Sequence, residues 1–212
     1  MRVSRQKARQ NRDAVLDAAA RLFLERGLDG VGIAEITRAV GLTHGGFYGQ
    51  FPDAKEGLAA EAVTRAFQNT QAVWNELASD KQPADALTAI AGAYLSERHR
   101  DHPGQGCPVP ALAADAARRG GVVRASFSGG VRDLLDVLSR YTSGPTEVAK
   151  RRDAARQLAT LAGAVLLARA VDDPELARDI LLAADISATV DPDGSGKRVQ
   201  GDEGSDAKRL RE

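Results

Sequence analysis

Residues 43–49 read THGGFYG: a hydroxyl, an imidazole, a phenol and three glycines within seven positions. No carboxylate or second base stands among them, so the stretch is poor material for acid–base chemistry. It is good material for hydrogen bonding to an anionic surface, with little bulk to hold a backbone away from that surface. The first twelve residues add Arg2, Arg5, Lys7, Arg9 and Arg12 with no acid. A local basic arm of this kind attracts a phosphate backbone whatever the total charge. A third group is Cys107, close in sequence to Arg98, His99, Arg100 and His102. Such neighbours lower a thiol pKa and make it reactive. The other reading is a small buried residue packing a proline-rich loop. One cysteine with two histidines falls short of the four ligands a structural zinc needs, so no metal is expected. No Gly-x-Ser-x-Gly elbow, P-loop, dinucleotide-binding glycine motif or His-Glu-x-x-His occurs, and no catalytic residues are assigned.

The elements that must position the 43–49 stretch can be read from spacing. Ile33, Ile36 and Val40 recur at helical intervals and make one apolar face. Gly41 ends that run, as glycine does where φ turns positive. Leu42 is an apolar plug, and Thr43 is a good N-cap for a second helix. Phe47 and Phe51 lie four apart and face back onto the first helix. Thr37 stands at the corner where a small residue is needed. Left outward are His44, Gly45, Gly46, Tyr48, Gly49 and Gln50. Residues 33–51 are therefore a helix, a three-residue corner and a second helix. Tyr48 as a half-buried core aromatic and His44 as an ordinary exposed side chain are the plainer readings of those two positions.

From about Arg12 to Leu58 the chain resembles the DNA-binding domain of the tetracycline-repressor (TetR) family. The features that carry the resemblance are AVLDAAARLFLERG, the turn LDGVG, then IAEITRAVGLTHGGFYGQF, then a lysine and a leucine opening the next helix. Phe51 to Lys55 is four steps where the family usually has three. The segment GCPVPALAADAAR resembles a C-terminal domain type of multidrug-related repressors, in which a Gly-Cys-Pro run is common. The resemblance implies a homodimer that places two recognition helices ~34–36 Å apart on a pseudo-palindrome of double-stranded DNA. Phosphate contacts are expected from Thr43, Tyr48, Lys55 and the basic arm, Arg5, Arg9 and Arg12 among it. Base reading is expected from His44, Gly45 and Gly46, with Gln50 and Arg38 as neighbours, and with thymine methyls and DNA shape sharing the specificity. It also implies a small-molecule effector pocket. Phe67, Trp74, Tyr94, Cys107 and Phe127 are the candidate lining, with plain core packing as the alternative for the aromatics.

The rest of the chain is all-α in pattern. It has 212 residues, zero formal net charge and only 4% aromatic residues, and strand-like runs of Val, Ile and Thr are missing. About nine helices are expected, at 4–27, 33–40, 43–49, 54–78, 83–100, 110–119, 121–141, 146–171 and 174–188. Residues 1–52 form the DNA-binding domain and 53–190 the effector-binding and dimerisation domain. Residues 191–212, rich in Gly, Asp, Ser and Lys, are expected to be a disordered tail. Asp53 is the expected cap of 54–78, a lever of ~35 Å between the two domains. Three prolines and two glycines in 101–110 forbid a regular helix there, and Gly129-Gly130 should bend or weaken 121–141. Leu158, Leu161, Ala162, Val165 and Leu166, with Leu176 and Ile180, make an apolar stripe that the resemblance assigns to the dimer. Packing on 83–100 and 121–141 is the alternative. With one cysteine, no apolar run of membrane length and no signal-peptide pattern, a cytoplasmic protein without a membrane partner is expected. No cofactor is expected. A ligand-responsive repressor is the leading expectation. A thiol-responsive repressor and a helical adaptor that binds no specific DNA are the rivals.

Overall fold

The computed structural model describes residues 5–49, 51 and 54–185, and every regular element among them is helical. Ten α-helices follow in order: α1 (Arg5–Arg26), α2 (Ile33–Ala39), α3 (His44–Tyr48), α4 (Ala54–Ala78), α5 (Pro83–Tyr94), α6 (Glu97–Asp101), α7 (Pro108–Arg119), α8 (Gly121–Ser139), α9 (Glu147–Ala170) and α10 (Pro174–Ala183). A 3-10 turn, Pro103–Gln105, lies between α6 and α7. The expected cap Asp53, the reading candidate Gln50 and the tail 191–212 lie outside the described residues.

α4 has the bounds its apolar spacing gives. Leu58, Ala62, Val63, Ala66, Phe67, Thr70 and Trp74 are buried along it. It packs along α8 on one side and α1 on the other. α1 buries Val15, Leu16, Ala19, Ala20, Leu22, Phe23 and Leu24. It stops at Gly27, where φ is +74°. One apolar core runs from Val15 on α1 to Ala184 beyond α10, so it crosses the boundary expected near residue 52.

Polar ties join α1 and the loop after it to α4 and α7. Arg12 pairs with Glu61 at 2.5 Å, and Arg65 reaches Asp13 at 2.7 Å and Asp17 at 2.8 Å. Arg119 on α7 bonds Asp29 and also Glu56. The Leu28 N–H donates to Asp115 Oδ2 at 2.9 Å. Exposed pairs of this kind are each worth ~1 kcal/mol or less, so they orient the module more than they hold it.

Three helices differ from the expectation. The helix expected over 83–100 is two, because Ser96 accepts from the His99 N–H at 3.2 Å and donates to Ala93 O at 2.8 Å. A serine that offers the backbone these bonds competes with helix continuation. α7 begins at Pro108, with Cys107 as its cap and Pro108 in the first turn, where a missing N–H costs nothing. α8 runs unbroken through Gly129-Gly130. Gly130 is there because a Cβ would overlap the Phe67 ring of α4, so the glycine allows close helix approach instead of a bend.

Candidate nucleic-acid interface and effector cavity

The corner between α2 and α3 is built by the residues that the spacing singles out. Gly41 takes φ +67°. The Leu42 N–H donates to Thr37 O at 2.9 Å and closes the turn. Thr37 is buried, and its hydroxyl donates to Ala34 O at 3.1 Å. Thr43 Oγ1 accepts from the Gly46 N–H at 3.3 Å, so it caps α3. Phe47 is fully buried and stacks on buried Phe51 with centroids 5.1 Å apart. These two rings fix which side of α3 faces outward. Tyr48 is then 46% exposed, which removes the half-buried reading. Gly45 has no atom within 4 Å of where a side chain would begin, so this surface is open.

Arg5, Arg9 and Arg38 are exposed, Lys55 is half-buried at the start of α4, and Gly45 and Gly46 are exposed on α3. His44 lies in the first turn of α3. Arg12, also expected near a phosphate, is engaged within the chain. Its guanidinium bonds Glu61 and lies 4.8 Å over the Phe51 ring, so it ties α1 to α4 and to the corner.

A cavity of about 830 Å³ lies between α1, α4, the end of α5 and the α6–α7 connection. Trp74, Tyr94 and Cys107 line it. Phe67 and Phe127 do not. They meet edge to face at 5.2 Å between α4 and α8, as core. Sequence reasoning missed the walls that α1 supplies, Ala20 and Leu24, and also Thr70 and His99. Thr70 lies four residues from Trp74 on the same face of α4, and that spacing could have found it.

His99 holds the cavity floor. Its Nδ1 is 2.7 Å from Tyr94 O, and its Nε2 is 3.0 Å from the Cys107 N–H. A carbonyl only accepts and an amide N–H only donates, so the proton is on Nδ1 and the ring is neutral. Burial pushes its pKa down to about 4. Arg169 of α9 donates to His99 O at 2.5 Å and to Arg100 O at 3.0 Å.

Cys107 is buried, and burial pushes its thiol up to about 11. Its sulfur accepts from the Val109 N–H at 3.5 Å. The neighbour expected to activate the thiol, His99, instead serves the Cys107 backbone. Burial thus keeps the thiol protonated at neutral pH, which favours the reading of Cys107 as a small buried residue over the electrophile-sensing alternative.

The seven residues of the expected dimer stripe divide. Leu158, Leu161, Ala162 and Val165 are buried within the chain's own core, because that face of α9 is covered by its own neighbours. Leu166 and Leu176 are exposed, and Ile180 is half-buried. Leu167 and Leu182, not singled out from the sequence, are exposed with them.

The family model of bacterial regulatory proteins, tetR family, matches residues 15–62. Among curated relatives, the HTH-type transcriptional regulator LmrA of Bacillus subtilis (strain 168) is 31% identical over 108 residues, 50% of this chain and 57% of the relative. The HTH-type transcriptional regulator AcrR of Shigella flexneri is 36% identical over 89 residues, 42% of this chain and 40% of the relative. The match thus spans only about half the length of these relatives. Among solved structures, reduced E. coli NemR superposes with a TM-score of 0.71 at 21% identity, covering 86% of this chain and 96% of that one. A TetR transcriptional regulator from Chloroflexus aurantiacus J-10-FL gives 0.70 at 26% identity, covering 87% and 97%.

Proposed function

We propose that this chain, whose residues 15–62 match the family model of bacterial regulatory proteins, tetR family, is a ligand-responsive repressor of that family. It binds a palindromic operator as a homodimer and leaves it when a small molecule fills the cavity beside α1. The observation that carries this reading is the outward face of α3, held open by buried Phe47 and Phe51 and capped by Thr43. Thr43 keeps a hydroxyl proton for a phosphate oxygen, since its oxygen is what accepts from Gly46. Tyr48, Lys55, Arg5 and Arg38 supply further phosphate or groove-edge contacts. Gly45 and Gly46 face the bases, and base reading falls also to His44 and Gln50 on the strength of the sequence. The exposed apolar positions Leu166, Leu167, Leu176 and Leu182 on α9 and α10 support pairing with a second copy. Cavity filling acts on the operator through α1, which forms one cavity wall and also carries the reading module.

The test is selection from a random duplex pool, followed by gel shift across a salt series. One palindromic class should be retained, with affinity falling steeply as salt rises. Retention indifferent to sequence would leave the helical-adaptor reading in its place.

A further inference from the structure

We propose that the cavity beside α1 takes a neutral, ring-bearing molecule whose hydrogen-bond acceptor, a carbonyl, ether or hydroxyl oxygen, docks on the Tyr94 phenol. This rests on the ligand-responsive reading above and adds the chemistry of the ligand and its anchor.

The anchor follows from an accounting of donors at the buried end. Tyr94 is 3% exposed and lines the cavity, and its hydroxyl makes no hydrogen bond of good geometry within the chain, its polar neighbour being the weakly accepting Cys107 sulfur. Buried polar groups are nearly always satisfied, and leaving one unmade is costly. The other groups there are engaged. Thr70 spends its hydroxyl proton on Ala66 O at 3.1 Å. Cys107 Sγ accepts from Val109. Both His99 nitrogens are used on backbone. Beside the weakly donating Cys107 S–H, the Tyr94 O–H is the strong donor left over, so the ligand brings an acceptor.

Neutrality follows from where the charges lie. No ionised group lines the deep end: His99 is neutral, the Cys107 thiol and Tyr94 phenol are protonated, and the Arg169 guanidinium behind them is spent on His99 O and Arg100 O. An ion taken there would lose its water with one phenol in exchange. The charged lining residues are already held: Asp17 by Arg65, Arg21 by Glu25, and Arg98 by Gln105. The rings of Trp74 and Tyr94 meet edge to face at 6.0 Å and offer aromatic surface to a ring. The volume, about 830 Å³, suits a molecule of drug size.

The experiment titrates the full chain with the neutral naphthalene ketone 6-propionyl-2-(dimethylamino)naphthalene, read by its fluorescence blue shift. The anionic dye 1-anilinonaphthalene-8-sulfonate serves as the charged counterpart. The ketone should bind saturably and more tightly than the sulfonate. Tyr94→Phe should weaken it about fivefold to tenfold. Ala20→Leu, which fills the α1 wall, should abolish binding, and Phe127→Leu should leave it unchanged. Circular dichroism of each variant checks folding. No saturable binding, equal affinity in Tyr94→Phe, or tighter binding of the sulfonate overturns the proposal. A gel-shift arm separates the two readings. Tyr94-dependent binding with unchanged operator affinity keeps this site and removes ligand response. A compound that releases DNA equally from wild type and Tyr94→Phe does the reverse.

Discussion

On α3, Gly45 has open space where a side chain would begin. Between α6 and α7, Gly106 is wedged: a Cβ there would stand 2.6 Å from His99 Cδ2 and Nε2 and 3.3 Å from the Arg169 guanidinium. Gly104 is pressed in the same way, 2.9 Å from Glu25 Cγ and 3.0 Å from Arg21 Cγ. Both segments are glycine-rich, and in both the residue is chosen for its missing side chain. In one the room is left open. In the other it is filled by the chain itself, so that α1, α6 and α9 meet tightly at the cavity floor. Glycine content alone therefore does not separate a soft surface from a locked junction; the neighbours do.

The sharpest way to break this contrast is Gly106→Ala. The His99 ring cannot retreat without giving up its bonds to Tyr94 O and Cys107 N, so the methyl costs overpacking together with a lost hydrogen bond. We expect a loss of ~2–4 kcal/mol in urea unfolding. A change below ~0.5 kcal/mol would show the junction to be as loose as α3.

Acid comes next. His99 falls from an ordinary 6.5 to about 4 because burial opposes its charge, with Arg169 adding to the effect. The unfolded chain then binds the proton first, so stability is full above pH 6.5 and is lost as pH falls toward 4. The ceiling is ~3 kcal/mol. Unfolding at pH 7, 5.5 and 4.5 should show this slope in wild type and a flatter one in His99→Gln. Parallel slopes would remove His99 as the titrating group.

Why one region was legible in sequence and the other was not follows from the same contrast. The corner is local. Gly41, Thr43, Phe47 and Phe51 act on neighbours within a few positions, and their spacing states what they do. α4 was legible too, since its stripe from Leu58 to Trp74 repeats without interruption. The junction depends on partners far apart in the chain, such as Arg169 with His99. Sequence proximity suggested that His99 would activate the Cys107 thiol, whereas the fold gives its Nε2 to the Cys107 amide. Periodicity likewise marked Leu158, Leu161 and Val165 as a buried face, but it cannot say whether the chain or a second copy covers them. Phe67 and Phe127 were chosen as aromatics; Gly130, on α8 with Phe127, is what lets the Phe67 ring of α4 pack there as core.

Smaller effects sharpen the α3 side. Tyr48 is exposed on α3, and its phenol is suited to a phosphate oxygen. Tyr48→Phe should weaken operator binding by ~1 kcal/mol, about fivefold. Equal gel-shift midpoints would take Tyr48 off the contact surface.

Gly45→Ala gives the smallest change in stability and the most informative sign. No atom obstructs the added methyl, and alanine favours the helix by up to ~1 kcal/mol, so the free protein should gain stability or stay level. Two effects then compete on the operator. A stiffer α3 loses less freedom on docking, which favours binding. A methyl on the face that approaches the groove keeps the backbone away, which opposes it. If the open space around Gly45 exists to admit DNA, the second effect is larger, and the variant should be more stable alone yet bind its operator more weakly. Tighter binding would mean that the space is incidental and that α3 is limited only by its own softness.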